Sequence, residues 1–274
     1  RLHSKRIHVR GNLPSMKTVS TAASLALLAI TATSSLPAHA QLRVSIGTEY
    51  FSWKEDTRPE VKETGALLSA GAEYTMPRDA GFLLAYRGRL YGGEVSYEGA
   101  TLFPPNTPIQ SQTGYLGMSN EGQVRYRFDV RGSHAVDLVL GAGIDVWQRS
   151  LSRSQKEDFV IGFARFGIET EAKGAGWLAG AGVKMPFYTW ENAHLTDIGF
   201  TSNPILRPGK RPSPYLHFGY RFQDPIAVVF YVDSFRFSRS PMEPVTHTTQ
   251  GQNLIFQPAS DRYSVGVKVV IDIL

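Results

Sequence analysis

The chain has 274 residues, with 29 lysines and arginines against 24 aspartates and glutamates, and no cysteine. The missing cysteines exclude a disulfide framework, a thiolate zinc site and a cysteine nucleophile. Five basic residues (Arg1, Lys5, Arg6, Arg10, Lys17) and no acid lie in residues 1–40, so the remainder is formally neutral, with 24 charges of each sign, and nucleic acid is not an expected partner.

Residues 1–15 precede Met16 and read as an upstream extension. Residues 16–40 have the layout of a secretory signal: Met16-Lys17, an apolar run over 22–30, then Leu36-Pro37-Ala38-His39-Ala40 with an A-x-A end, which predicts cleavage after Ala40. The run is too short to cross a bilayer, and nothing after Ala40 approaches the roughly 20 apolar residues of a spanning helix. If residues 41–274 enter a membrane, they do so as strands of a single domain.

From residue 41 the pattern is period-two alternation, and it predicts ten strands: 42–53, 65–76, 81–92, 121–130, 135–148, 159–170, 176–188, 213–222, 226–238 and 261–273. In the fifth, Val136, Leu138, Leu140, Ala142, Ile144 and Val146 oppose Asp137, Gly141, Gly143 and Asp145. In the last, Tyr263, Val265, Val267, Val269, Ile271 and Ile273 oppose Ser264, Gly266, Lys268 and Asp272. Short connections rich in turn formers (Pro77-Arg78-Asp79, Arg131-Gly132-Ser133, Lys173-Gly174-Ala175, Gln223-Asp224-Pro225) alternate with long polar ones at 54–64, 93–120, 149–158, 189–212 and 239–260. An even strand count with short turns at one rim and long loops at the other predicts an all-β fold: a transmembrane antiparallel up-and-down β-barrel with short periplasmic turns and long extracellular loops. Tyr50, Trp53, Tyr74, Phe82, Tyr126, Phe128, Trp147, Trp177, Phe187, Tyr220, Phe222 and Tyr263 lie near strand ends, as an interfacial aromatic girdle requires.

The polar parity predicts a lumen charge network of Arg43, Glu49, Glu73, Arg87, Arg89, Arg125, Arg127, Asp137, Asp145, Arg165, Glu169, Lys184, His217, Arg221, Asp233, Lys268 and Asp272. A ten-strand barrel is only slightly wider than one that side chains just fill, so these groups are expected to pair across the interior. A narrow solute path would find its gaps at Gly47, Gly71, Gly88, Gly141, Gly143, Gly180, Gly182, Gly219 and Gly266, although glycine also relieves crowding where a barrel wall bends. Phe235 and Phe237 share the parity of Asp233, which predicts a β-bulge near Ser234.

The histidines after residue 40 are His134, His194, His217 and His247; none lies in a serine elbow, a metal-binding H-E-x-x-H pair or another catalytic motif. No catalytic residue, metal or cofactor is expected. Met185-Pro186-Phe187-Tyr188-Thr189-Trp190-Glu191-Asn192, Pro204-Ile205-Leu206-Arg207-Pro208-Gly209, the stretch 215–222 and the stretch 231–241 resemble small proteobacterial outer-membrane barrel proteins of unassigned activity. That resemblance covers about the last third of the chain and implies fold and bacterial outer-membrane location alone.

Three functions fit these observations: a structural barrel or narrow passive pore; an outer-membrane hydrolase by analogy with omptin-like barrels, using rim residues such as Glu191, His194 and Asp197; or an adhesin-like surface on the long loops. Expected partners are outer-membrane lipid and lipopolysaccharide, the barrel-assembly machinery during biogenesis, and a small solute or extracellular ligand.

Overall fold

The structure, a computed structural model, describes residues 40–77, 81–100, 107–130, 134–223 and 225–273. The upstream extension, the signal segment up to His39 and several predicted turn residues lie outside these.

The strands are β1 (Gln41–Glu55), β2 (Val61–Pro77), β3 (Phe82–Ala100), β4 (Pro108–Val130), β5 (His134–Ser150), β6 (Lys156–Ala172), β7 (Gly176–Asn192), β8 (Ile205–Leu206), β9 (Gly209–Arg211), β10 (Ser213–Arg221), β11 (Ile226–Ser238), β12 (Glu243–His247), β13 (Gly251–Ile255) and β14 (Ser260–Asp272). Ten of them, β1 to β7 with β10, β11 and β14, form a closed antiparallel barrel. Closure runs through β14 against β1, in register from Arg43 opposite Asp272 to Glu55 opposite Ser260. All ten predicted strands are present, and closure leaves no barrel edge unpaired.

Alternation explains why these residues form a barrel and not a sandwich. The outward face exposes large apolar side chains in every region of the wall: Ile46 is 68% and Leu68 70% exposed, and Leu140, Phe166, Phe218, Phe230 and Val265 are also exposed. A band of this kind is a liability in water and suits a hydrocarbon surround. Trp177 packs edge-on against Tyr220 at 5.2 Å and Tyr126 against Phe82 at 5.0 Å, building an aromatic girdle at the short-turn end.

Three expectations are corrected. Trp53 and Trp147 are fully buried inside the barrel, outside any girdle, because they share the parity of the lumen residues Glu49 and Asp145. The predicted loop 93–120 is mostly sheet: β3 runs to Ala100, β4 starts at Pro108, and they stay paired throughout. Glu94, Ser96 and Glu98 made the segment read as loop, yet backbone pairing above the apolar band needs no apolar outer face. The faces of β11 are not reset near Ser234: β11 pairs with β14 without interruption and Phe235 and Phe237 point inward, while on its other side the register changes by one residue, from Leu216 opposite Val232 to Arg211 opposite Arg236, with the extra residue in the β9–β10 segment. Another register shift lies in β7, where Gly162 faces Tyr188 and Phe163 faces Pro186, leaving Phe187 as the extra residue.

Most of the glycines are seats for neighbouring side chains, not gaps in a path. A Cβ at Gly266 would lie 2.5 Å from the Tyr231 ring, at Gly143 2.7 Å from Phe163, and at Gly180 2.5 Å from the His217 ring. At Gly182 it would meet backbone, 2.1 Å from the Phe166 carbonyl oxygen, which cannot move without breaking the wall. We expect Gly182→Ala to lower the unfolding free energy by about 1–3 kcal/mol, the usual cost of overpacking. Gly122→Ala, with nothing within 4 Å, is its neutral control. Urea midpoints of the two refolded variants check this; equal midpoints would remove the steric explanation.

Candidate functional site

The interior is the candidate site, and all seventeen predicted lumen residues lie on strands of its wall. Nearest the chain ends, Arg43 reaches Glu171 at 2.7 Å and Asp272 at 3.0 Å, Arg221 also pairs with Glu171, and Arg127 holds Asp137 through two nitrogens at 2.8 Å. Higher up, Glu73 bridges Arg87 and Arg125, each at 2.8 Å, while Glu169 accepts both terminal nitrogens of Arg87. Arg125 donates to Gln123, Gln123 to Glu121, and Arg165 pairs with Glu121 at 2.7 Å. Arg89 meets Glu49 at 2.9 Å, and that carboxylate also accepts from Tyr231 and Ser264. Lys184 pairs with Asp233 at 2.8 Å. Parallel hydrogen bonds of this kind are the favourable geometry for arginine and carboxylate, and full pairing is what a buried network requires.

His217 and Asp233, both in the predicted lumen set, are not brought together, because Asp233 is taken by Lys184. Lys268 forms no ion pair with any carboxylate among the described residues; its described contact is with the Tyr231 ring, 5.9 Å away.

Above these groups sits a layer that the sequence reading missed: Phe51, Trp53, Leu67, Tyr91, Val95, Tyr115, Trp147, Phe159, Ile161, Phe163, Phe235 and Phe237 form one buried apolar cluster inside the barrel. Trp147 stacks on Phe159 with centroids 4.9 Å apart, and Trp53 meets both. Arg262 threads into the layer, 4.5 Å from the Trp147 ring and 3.7 Å from Asp145, which also accepts from Tyr91 at 2.7 Å. The signal was present in the sequence, since Phe51, Trp53, Trp147 and Phe235 all fall on the polar parity of their strands.

A second missed cluster caps this layer on the long-loop side. Arg149 pairs with Glu55 and Glu63 at 2.9 Å and with Glu157 at 2.7 Å, and Glu63 also accepts from Tyr115 and Thr113. Glu191 is buried beside them with its Oε2 unpartnered, so four carboxylates face one guanidinium. These residues sit at strand ends that the sequence reading assigned to loops or left at loop boundaries.

The rim residues Glu191, His194 and Asp197 do not converge. Glu191 points into the barrel, Asp197 lies in the 3-10 helix Leu195–Ile198, and His194 Nε2 contacts Asp158 Oδ2 at 2.7 Å. Asp158 also accepts from Gln148 at 2.9 Å. Among the described residues no group of three or more histidine, aspartate or glutamate side chains is placed to hold a metal ion.

No family model matches the chain, and no curated protein sequence does. Solved structures do resemble it. The outer membrane protease OmpT from Escherichia coli aligns over 85% of this chain and 97% of its own, with 9% identity and a TM-score of 0.50. The transport unit of the autotransporter AIDA-I from Escherichia coli (90% and 96%, 8% identity, TM-score 0.45) and an outer membrane channel from Pseudomonas putida F1 (87% and 97%, 11% identity, TM-score 0.43) also align. At 9% identity the likeness to the first of these speaks to fold alone. The chain has the ten-strand, closed antiparallel fold of the small outer-membrane β-barrels of Gram-negative bacteria.

Proposed function

We propose that the protein is an integral outer-membrane barrel with a structural role, its lumen sealed on the long-loop side. One observation carries this reading: the aromatic layer spans the interior from β1 through β5 and β6 to β11, and the polar groups that enter it, Arg262, Asp145 and the Tyr91 hydroxyl, are buried and engaged with one another. The cavity below it meets the layer at Phe163 and reaches no other ring of that cluster. Lipid and lipopolysaccharide cover the apolar outer band, the assembly machinery inserts the strands, and the long loops face out of the cell.

Purified barrel in planar lipid bilayers is expected to pass no current at any applied voltage. Steady single-channel currents would overturn the sealed reading in favour of the narrow passive pore.

The His194–Asp158 contact favours a second reading, a surface hydrolase in which Asp158 orients His194 as a general base. Loss of a surface hydrolytic activity in His194→Ala, with the barrel still folded, would support it. Activity unchanged in that variant would count against it.

A further inference from the structure

We infer that the cavity in the short-turn half of the barrel binds one small oxyanion, of carboxylate or phosphate size, with Lys268 as its principal cation. The cavity has a volume of about 220 Å³ and is lined by Lys268, His217, Arg87, Arg89 and Tyr231, among others. Roughly 15 Å³ of such space holds one water, so a small anion fits with part of its hydration.

The charge pattern says what sign of ligand belongs there. Every lumen arginine, and Lys184, has a carboxylate partner within ion-pair reach, whereas Lys268 has none among the described residues. The nearby acids are already engaged: Glu73 and Glu169 by Arg87 and Arg125, and Glu49 by Arg89, Tyr231 and Ser264. An unpaired cation inside a barrel is costly, and removing that cost favours an incoming anion. Arg89 spends one terminal nitrogen on Glu49 and keeps further N–H donors on a cavity-lining side chain, which suits an oxyanion better than a spherical halide. The wall also makes room for the lysine stem, since a Cβ at Gly47 would fall 2.8 Å from that of Lys268.

The test is calorimetric titration of the folded barrel in detergent micelles with inorganic phosphate and, separately, with sodium acetate, in a low-chloride zwitterionic buffer. Wild type is expected to show saturable one-site binding of at least one of them, and the better ligand distinguishes a phosphate source from a carboxylate one. Lys268→Met is expected to bind at least tenfold more weakly, and Lys54→Met, at an exposed lysine paired with Glu60, to bind as wild type. If Lys268→Met fails the heat-dependent gel-mobility check for folding, Lys268→Gln replaces it. No saturable binding to folded wild type, or equal binding by the Lys268 variant, would overturn the inference. The sealed-lumen reading stands or falls separately, on conductance.

Discussion

Replacing Arg149 with methionine is expected to prevent stable folding of the barrel or to lower its unfolding free energy by more than about 3–5 kcal/mol, the usual range for stranding one partner of a buried ion pair. The expected cost lies at or above that range because this guanidinium serves Glu55, Glu63 and Glu157 together, with Glu191 buried alongside. Without it, four carboxylates share a site from which water is largely excluded. The measurement is the urea midpoint of refolded protein, followed by heat-dependent gel mobility. Adding Glu63→Gln and Glu157→Gln to Arg149→Met is expected to recover a substantial part of the loss, since these changes remove like-charge repulsion. A midpoint for Arg149→Met close to wild type would show that the cluster is hydrated and that the cap is not a closed structure.

Trp147→Ala is expected to cost about 3–5 kcal/mol, as for other large-to-small changes at buried aromatics. Trp147 stacks on Phe159, lies 6.3 Å from Phe235 and 6.4 Å from Trp53, and carries Arg262 over its face, so its loss leaves a void and also removes a cation–π partner. Trp147→Phe keeps an apolar ring there and is expected to cost less than half as much. Trp177→Ala separates the two kinds of tryptophan: it is 65% exposed on the outer wall, where lipid fills the vacated space, and is expected to cost about 1 kcal/mol or less. Equal losses for Trp147→Ala and Trp177→Ala would contradict the distinction between lumen and girdle. If the layer is what seals the barrel, Trp147→Ala is also the variant in which bilayer currents should first be sought.

Much of the fold was legible because alternation is a local property. Val136 to Val146 on one face and Asp137 to Asp145 on the other define β5 without reference to any other strand, and the alternation in 261–273 does the same for β14. The lumen charges followed from that parity. What parity could not provide was partners: Arg87 pairs with Glu169, 82 residues away, and Arg43 with Glu171, 128 residues away, and those choices depend on barrel radius and strand stagger. The aromatic layer was misread for a related reason. Trp53 and Trp147 near strand ends fit an interfacial girdle by position, and only a strict reading of parity would have turned them inward.

The loops show the same division. The 93–120 segment is polar and glycine-containing, and local rules assign it to a loop; in the folded chain β3 and β4 hold each other extended well above the apolar band. Glu55, Glu63 and Glu157 likewise read as acids of the predicted loops, and Glu191 as a rim residue beside His194 and Asp197, whereas all four lie on strands with buried side chains. Period-two patterning by itself determined an all-β chain of ten spanning strands with one apolar and one charged face, because the side-chain period of a strand needs no knowledge of its neighbours. Only closure of the barrel decided which charges pair across the interior, that aromatic rings fill its long-loop half, and that Lys268 faces a cavity whose carboxylates are engaged by other cations, with no ion-pair partner of its own among the described residues. Those outcomes rest on contacts between residues far apart in the chain, and on the limited volume inside ten strands.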